Sequence, residues 1–239
     1  MGRAYLTIDD GPSEITGLIL DYLFDRGITP ILFFVGTQVE LNYDQAIAAV
    51  RRGAIIGNNS YSHADFNKLT ESECIAEIEK QEILLEKLYH DAGRERRIKV
   101  FRFPYGHRGG KNEARLQEFL CYKNFNRIDD RKIQYKWYIE QGFNKAIDVY
   151  WTFDFREYLT KIEKGFTLDN IERSIDISND INRNGLLLYN TYNIVLLHDS
   201  VTTNKVLEGY YKTLIEYTIQ KGVEYIEPSF LTRDNLPYE

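Results

Sequence analysis

Two cysteines among 239 residues leave little to cross-link, and Cys74 and Cys121 match no zinc or redox spacing. They read as free thiols of a reducing compartment. No apolar run approaches the ~18 residues of a membrane span. Basic runs are missing too: the formal charge is −6 and the isoelectric point about 5.4. That excludes nucleic acid and anionic membrane surfaces as main partners. Low-complexity tracts, internal repeats and linkers are absent, so the chain reads as one domain over residues 1–239. Its first residues enter a strand at once, which leaves no room for a signal peptide. As it stands the chain reads as cytoplasmic, or as a secreted protein that has been trimmed.

Aromatic residues, by contrast, are plentiful. Eighteen Tyr and 13 Phe are read first as core filling, although such rings also line sugar clefts. Short apolar strands are expected at 4–8, 30–35, 54–56, 98–101, 148–153, 193–197 and 223–226. Between them lie helices with readable ends. Ser13 is expected to cap a helix running to Arg26, and Thr70 with Glu73 forms a capping box for a long helix ending near His90 and Gly93. A helix is expected over 204–220, and the charged stretch 123–136 reads as a solvated helix or loop insertion. The β-then-α alternation argues for an α/β fold, a parallel sheet wrapped into a distorted (β/α) barrel of seven or eight strands. In such a barrel the chemistry belongs at the C-terminal ends of the strands.

Polar groups stand at several of those ends. Asp9 and Asp10 follow the first strand, where adjacent carboxylates repel unless a cation or a turn stabilises them. In GNNSYSHADF, residues 57–66, Asn59 and His63 are four apart, the spacing of one helical turn. Arg102 sits in RFPYG, where it could neutralise a carboxylate and where the turn could offer a backbone N–H to an oxyanion. His198 closes LLH at the end of the sixth strand.

These segments occur in an order that resembles the polysaccharide deacetylases of the NodB-homology type, carbohydrate esterase family 4. TIDDGPS resembles that family's TFDDGP, and NSYSH its H-[S/T]-x-x-H with Asn59 in place of the first His. RFPYG matches the third motif. WTFDFREY resembles W-x-x-D-x-x-D-W with Glu157 and Tyr158 in place of the last two residues, and LLH matches L-x-H. The resemblance implies metal-assisted removal of N-acetyl groups from an amino-sugar saccharide, releasing acetate. It assigns Asp10, His63 and Asn59 to a divalent metal, zinc first and Co, Ni or Mn as alternatives. Asp9 would be the general base held by Arg102, and His198 the general acid tuned by Glu157, with Asp154 in support. Tyr105 would offer its backbone N–H to the oxyanion, while Leu196, Trp151 and Tyr158 line the acetyl pocket.

Two substitutions set this chain apart. Asn59 offers a neutral oxygen where the pattern has imidazole, a weaker ligand for a borderline cation. Glu157 is one methylene longer than Asp. His90 and His107 offer no obvious replacement ligand. A glycan-binding protein without turnover, or a related amide hydrolase such as a deformylase on a small sugar conjugate, therefore stand as alternatives.

Overall fold

The computed structural model describes residues 1–181 and 185–231. Eight strands are present among them: β1 Gly2–Asp9, β2 Ile31–Phe34, β3 Ile55–Asn58, β4 Arg127–Ile128, β5 Phe153–Asp154, β6 Tyr192–His198, β7 Val223–Tyr225 and β8 Phe230–Leu231. The helices are α1 Thr16–Phe24, α2 Gly36–Leu41, α3 Tyr43–Arg51, α4 Glu71–Asp91, α5 Glu113–Tyr122, α6 Lys136–Glu140, α7 Leu168–Asp176, α8 Val201–Val206 and α9 Tyr210–Gln220.

The main sheet is parallel, in the order β3-β2-β1-β6-β5, with β7 pairing the first residues of β1. Its two outer strands are joined through segments too irregular to be strands. Asn58 N–H donates to Val100 O, Arg102 N–H to Asn58 O, and Val149 N–H to Phe101 O. Thr152 and Phe155 then donate to β6 at Ile194 and Leu196. Backbone hydrogen bonds thus run around a ring, as a distorted barrel requires. The expected strands at 98–101 and 148–153 are present mainly as single bridging contacts, because two-residue β5 is all of the second that keeps a regular ladder.

Alternation along each strand separates two cores. Ala4, Leu6 and Ile8 of β1 face outward into a cluster with Ile19, Leu23, Leu214 and Ile215 of the covering helices. Tyr5 faces inward with Ile31, Phe33, Val100, Val149 and Ile194. By the period of two, Thr7 and Asp9 share the inner face of Tyr5.

Several expectations are corrected. The α1 helix begins at Thr16 rather than at a Ser13 cap, because the Ser13 hydroxyl instead donates to Asp199 Oδ1 at 2.5 Å. The expected helix at 204–220 is broken into α8 and α9, with Gly209 at φ 66° between them. The stretch 123–136 is not a solvated insertion. It holds β4, which pairs antiparallel with β8, and it buries Ile128, Ile133 and Tyr135 in the inner core. The Thr70–Glu73 capping box forms as expected. Among the described residues, no helix is long and apolar enough to cross a membrane.

Candidate active site

The site is built where β1, β3 and β6 end. In the parallel ladder Asp9 is the partner of His198, one step above Thr7 with Leu196 two residues before. The two side chains therefore project from neighbouring strands on the inner face. Asp9 is buried, and its Oδ1 accepts from Arg102 Nη1 at 2.7 Å. The guanidinium is itself 1% exposed. It is fixed by donating Nε–H to Val149 O at 2.9 Å and Nη1–H to Thr7 Oγ1 at 2.8 Å, and it lies over the Phe33 ring. Burial pushes the Asp9 carboxyl above the ordinary aspartate range, and the Arg102 charge opposes that rise. The net result is a carboxyl more basic than usual, set against a fixed guanidinium.

His198 forms the second pair. Its Nδ1 lies 3.0 Å from Glu157 Oε1, which also accepts the His198 backbone N–H at 2.7 Å. Burial alone would lower the imidazole pKa, but Glu157, with the Asp10 and Asp154 charges, outweighs it and raises the value to about 10. Tyr158 sets its ring edge-on to the imidazole, with centroids 5.0 Å apart. Asp154 completes the group, its own pKa raised by burial to about 6. Leu196 is buried on β6 beside Asp154. Trp151 stacks parallel on Tyr150, with centroids 4.4 Å apart. A Cβ on Gly106 would meet the Trp151 ring at 2.8 Å, so glycine next to Tyr105 is what lets that turn lie against the indole.

The third pair is His63 and Asp10, with Nε2 3.2 Å from Oδ1. Burial would raise the Asp10 pKa, but the contacts with His63 and His198 bring it below the ordinary value. The segment carrying His63 is not helical. Asn59 directly follows β3, and Ser60 and His63 take φ of 66° and 58°. The four-residue spacing is thus served by an irregular loop rather than one face of a helix turn. Asp10, Tyr105 and Arg156 also have positive φ. Such non-glycine residues each cost on the order of 1–3 kcal/mol and gather where function dictates shape.

Asn59 is completely buried. Its Nδ2–H donates to the Arg102 carbonyl at 3.0 Å, while its Oδ1 has no hydrogen-bond partner. A ligating histidine typically offers one ring nitrogen to the metal and donates the other N–H to a carbonyl or carboxylate. Asn59 supplies both halves, a free acceptor and a carbonyl-bound donor, so it fits a metal position. His107 and His90 do not: His107 Nδ1 is 2.8 Å from Asp65 Oδ1, and His90 lies exposed beside Asp91 at the end of α4.

Asp199 is a site-forming residue that motif reading passed over. It is buried next to His198 and accepts from Ser13 N–H, Ser13 Oγ and Thr16 Oγ1. Its backbone N–H donates to Asp9 O, and a Cβ on Gly11 would strike its Oδ2 at 2.9 Å. It ties the Asp9-Asp10-Gly11 turn to the end of β6. Its adjacency to His198 in LLHDS was the available signal.

A family model described as polysaccharide deacetylase matches residues 2–119. A peptidoglycan-N-acetylglucosamine deacetylase of Bacillus cereus is 30% identical over 171 residues, covering 71% of this chain and 50% of the relative. A chitin deacetylase of Arthroderma benhamiae is 29% identical over 132 residues, covering 54% of this chain and 35% of the relative. The chain thus spans half the length of these curated relatives or less. Among solved structures, a family 4 carbohydrate esterase from Streptomyces lividans in complex with acetate superposes with a TM-score of 0.61 at 20% identity. That match covers 95% of this chain and 92% of the other, and it is a likeness of fold. Residues 2–119, which the model matches, thus belong to the polysaccharide deacetylase family, and the strand-end motifs continue in that family's order beyond them.

Proposed function

We propose that this chain is a metal-dependent hydrolase that removes N-acetyl groups from an amino-sugar-containing saccharide and releases acetate. The carrying observation is the Asp9–His198 ladder pair, in which one partner is hydrogen-bonded to the Arg102 guanidinium and the other to the Glu157 carboxylate. Amide hydrolysis needs a base for water and an acid for the departing amine, each on its own side of the carbonyl. A carboxyl made more basic than usual and an imidazole kept protonated, on adjacent strands, supply that division.

Asp10, His63 and Asn59 would hold the divalent cation, most simply Zn²⁺, through one carboxylate, one imidazole and the unpartnered Asn59 Oδ1. The cation's contribution, once bound, is to draw charge from the amide carbonyl and to make water nucleophilic near neutral pH. Asp9 takes the water proton, and Arg102 keeps the carboxylate aligned and opposes its protonation beforehand. The backbone N–H of Tyr105 faces the charge that develops on the carbonyl oxygen. His198, protonated at neutral pH, gives its proton to the amine as the C–N bond breaks. Leu196, with Trp151 and Tyr158, surrounds the acetyl methyl.

The relatives' names, a peptidoglycan and a chitin deacetylase, support a glycan bearing N-acetyl groups as substrate. The test is acetate release from chitooligosaccharides by protein loaded with Zn²⁺, Co²⁺, Ni²⁺ or Mn²⁺, beside direct measurement of bound metal. Acetate release that requires metal and is abolished in Asp9→Asn supports the reading. Metal binding without acetate, and saccharide binding without turnover, would instead establish a glycan-binding protein. Asn59→His should raise metal affinity; an unchanged affinity removes Asn59 from the ligand set.

A further inference from the structure

Among the described residues, one group unites three metal-capable His, Cys, Asp or Glu side chains, and it is not the group around Asp10. Asp154, Glu157 and His198 each offer one donor atom, and the three atoms lie within 4.8 Å of one another. Donors around a cation at roughly 2.1 Å stand about 3.4 Å apart in a tetrahedron, so a small contraction would seat one. Asp154 and His198 are only partly buried, which leaves a way in from solvent.

A second observation does not depend on that spacing. Glu157 is fully buried, and its Oε1 already accepts both the backbone N–H and Nδ1 of His198. Its Oε2 is buried and has no partner at all. Buried carboxylate oxygens are normally met by a donor or a cation, and an unmet one is costly. Two carboxylates and an imidazole also form a donor set that suits zinc and its neighbours.

We propose that Asp154, Glu157 and His198 form a second divalent-cation site whose occupation silences the enzyme. An ion on a ring nitrogen takes the lone pair whose protonation makes His198 an imidazolium; that proton leaves to solvent, and the neutral ring left behind is too weak an acid for the departing amine. No bond of the substrate changes. At the first site a carboxamide stands where imidazole would bind more tightly, so the affinities of the two sites converge. Metal then activates only over a narrow range of concentration before the second ion inhibits. The binding half of this inference is independent of the proposed reaction, whereas the inhibitory half rests on it.

Chelator-stripped protein titrated with Zn²⁺ by calorimetry, and with Co²⁺ by its visible absorption, should take up two equivalents. Asp154→Asn and Glu157→Asp should each take up one, and Asp10→Asn should retain the second site. With saccharide present, the zinc concentration giving half-inhibition should rise at least tenfold in Glu157→Asp. Asp154→Asn provides the same binding readout should Glu157→Asp misfold, because it replaces a partly exposed side chain. A single equivalent that Asp10→Asn abolishes would overturn the second site and leave the deacetylase reading standing. Two equivalents that survive both Asp154→Asn and Glu157→Asp would overturn it as well. No metal uptake by any form would overturn both readings.

Discussion

Arg102 decides how the base behaves. Its single side chain reaches Val149, Thr7 and Asp9, and all of these partners are buried. Arg102→Ala should cost about 3–5 kcal/mol, because the carboxylate of Asp9 is then left buried without a counter-charge. Denaturant unfolding measures that loss, and acetate release should fall with it. Arg102→Lys restores charge without the planar fork, so it should recover only part of either quantity. Glu157 governs the acid in a different way. The folded His198 pKa, about 10, lies above its ordinary 6.5. Its contribution to stability is therefore complete below about 6.5 and is lost as pH rises through about 10. Glu157→Gln should flatten that loss and move the alkaline limb of the pH–rate profile downward. A limb that stays in place would show that another group sets it.

At the scale of elements, strand ends and loop shapes carry different burdens. The strands need only apolar alternation, but the loops after β1, β3 and the Arg102 segment hold Asp10, His63 and Tyr105 at positive φ. Nothing in the identities of these residues announces such backbone angles; the Asp10 turn, for one, is tied down by Asp199 from the end of β6. Helix α4 is the opposite case. Thr70 Oγ1 accepts from Glu73 N–H, and Glu73 Oε2 from Thr70 N–H, all within four residues of sequence. Thr70→Ala should cost about 1 kcal/mol. The expected fall in melting temperature is about 2–4 °C for a chain of this size, with acetate release unchanged. A larger fall would mean that the helix start does more than cap itself. Residues 204–220 show the limit of such local reading. Helical spacing runs through them, yet α8 stops at Val206 and Gly209 caps the start of α9, which sets the Tyr210 hydroxyl against the backbone carbonyl of His198.

Across the whole molecule, the inner core is what supports the site from below. Ile194 is fully buried with Tyr5, Phe33, Val100 and Val149, two residues beneath Leu196 and four beneath His198. Ile194→Ala should cost roughly 2–5 kcal/mol by transfer and cavity terms together. Urea unfolding gives the magnitude. Acetate release should also fall, because the ladder that aligns His198 with Asp9 passes through that position.

The sequence by itself determined the alternation of strands and helices, the α4 capping box and the strand-end positions of Asp9, Asp10, Arg102 and His198. Periodicity, capping and motif order are local properties, written in neighbouring residues. It did not determine the irregular closure of the ring, the burial of residues near 128–135, or the locking of the Asp10 turn by Asp199. Those depend on contacts between residues far apart in the chain. Nor could it tell what Asn59 does with its two ends. Only the folded barrel places the Arg102 carbonyl against Nδ2 and leaves Oδ1 unmet, because both facts arise where β3 meets the next segment of the ring.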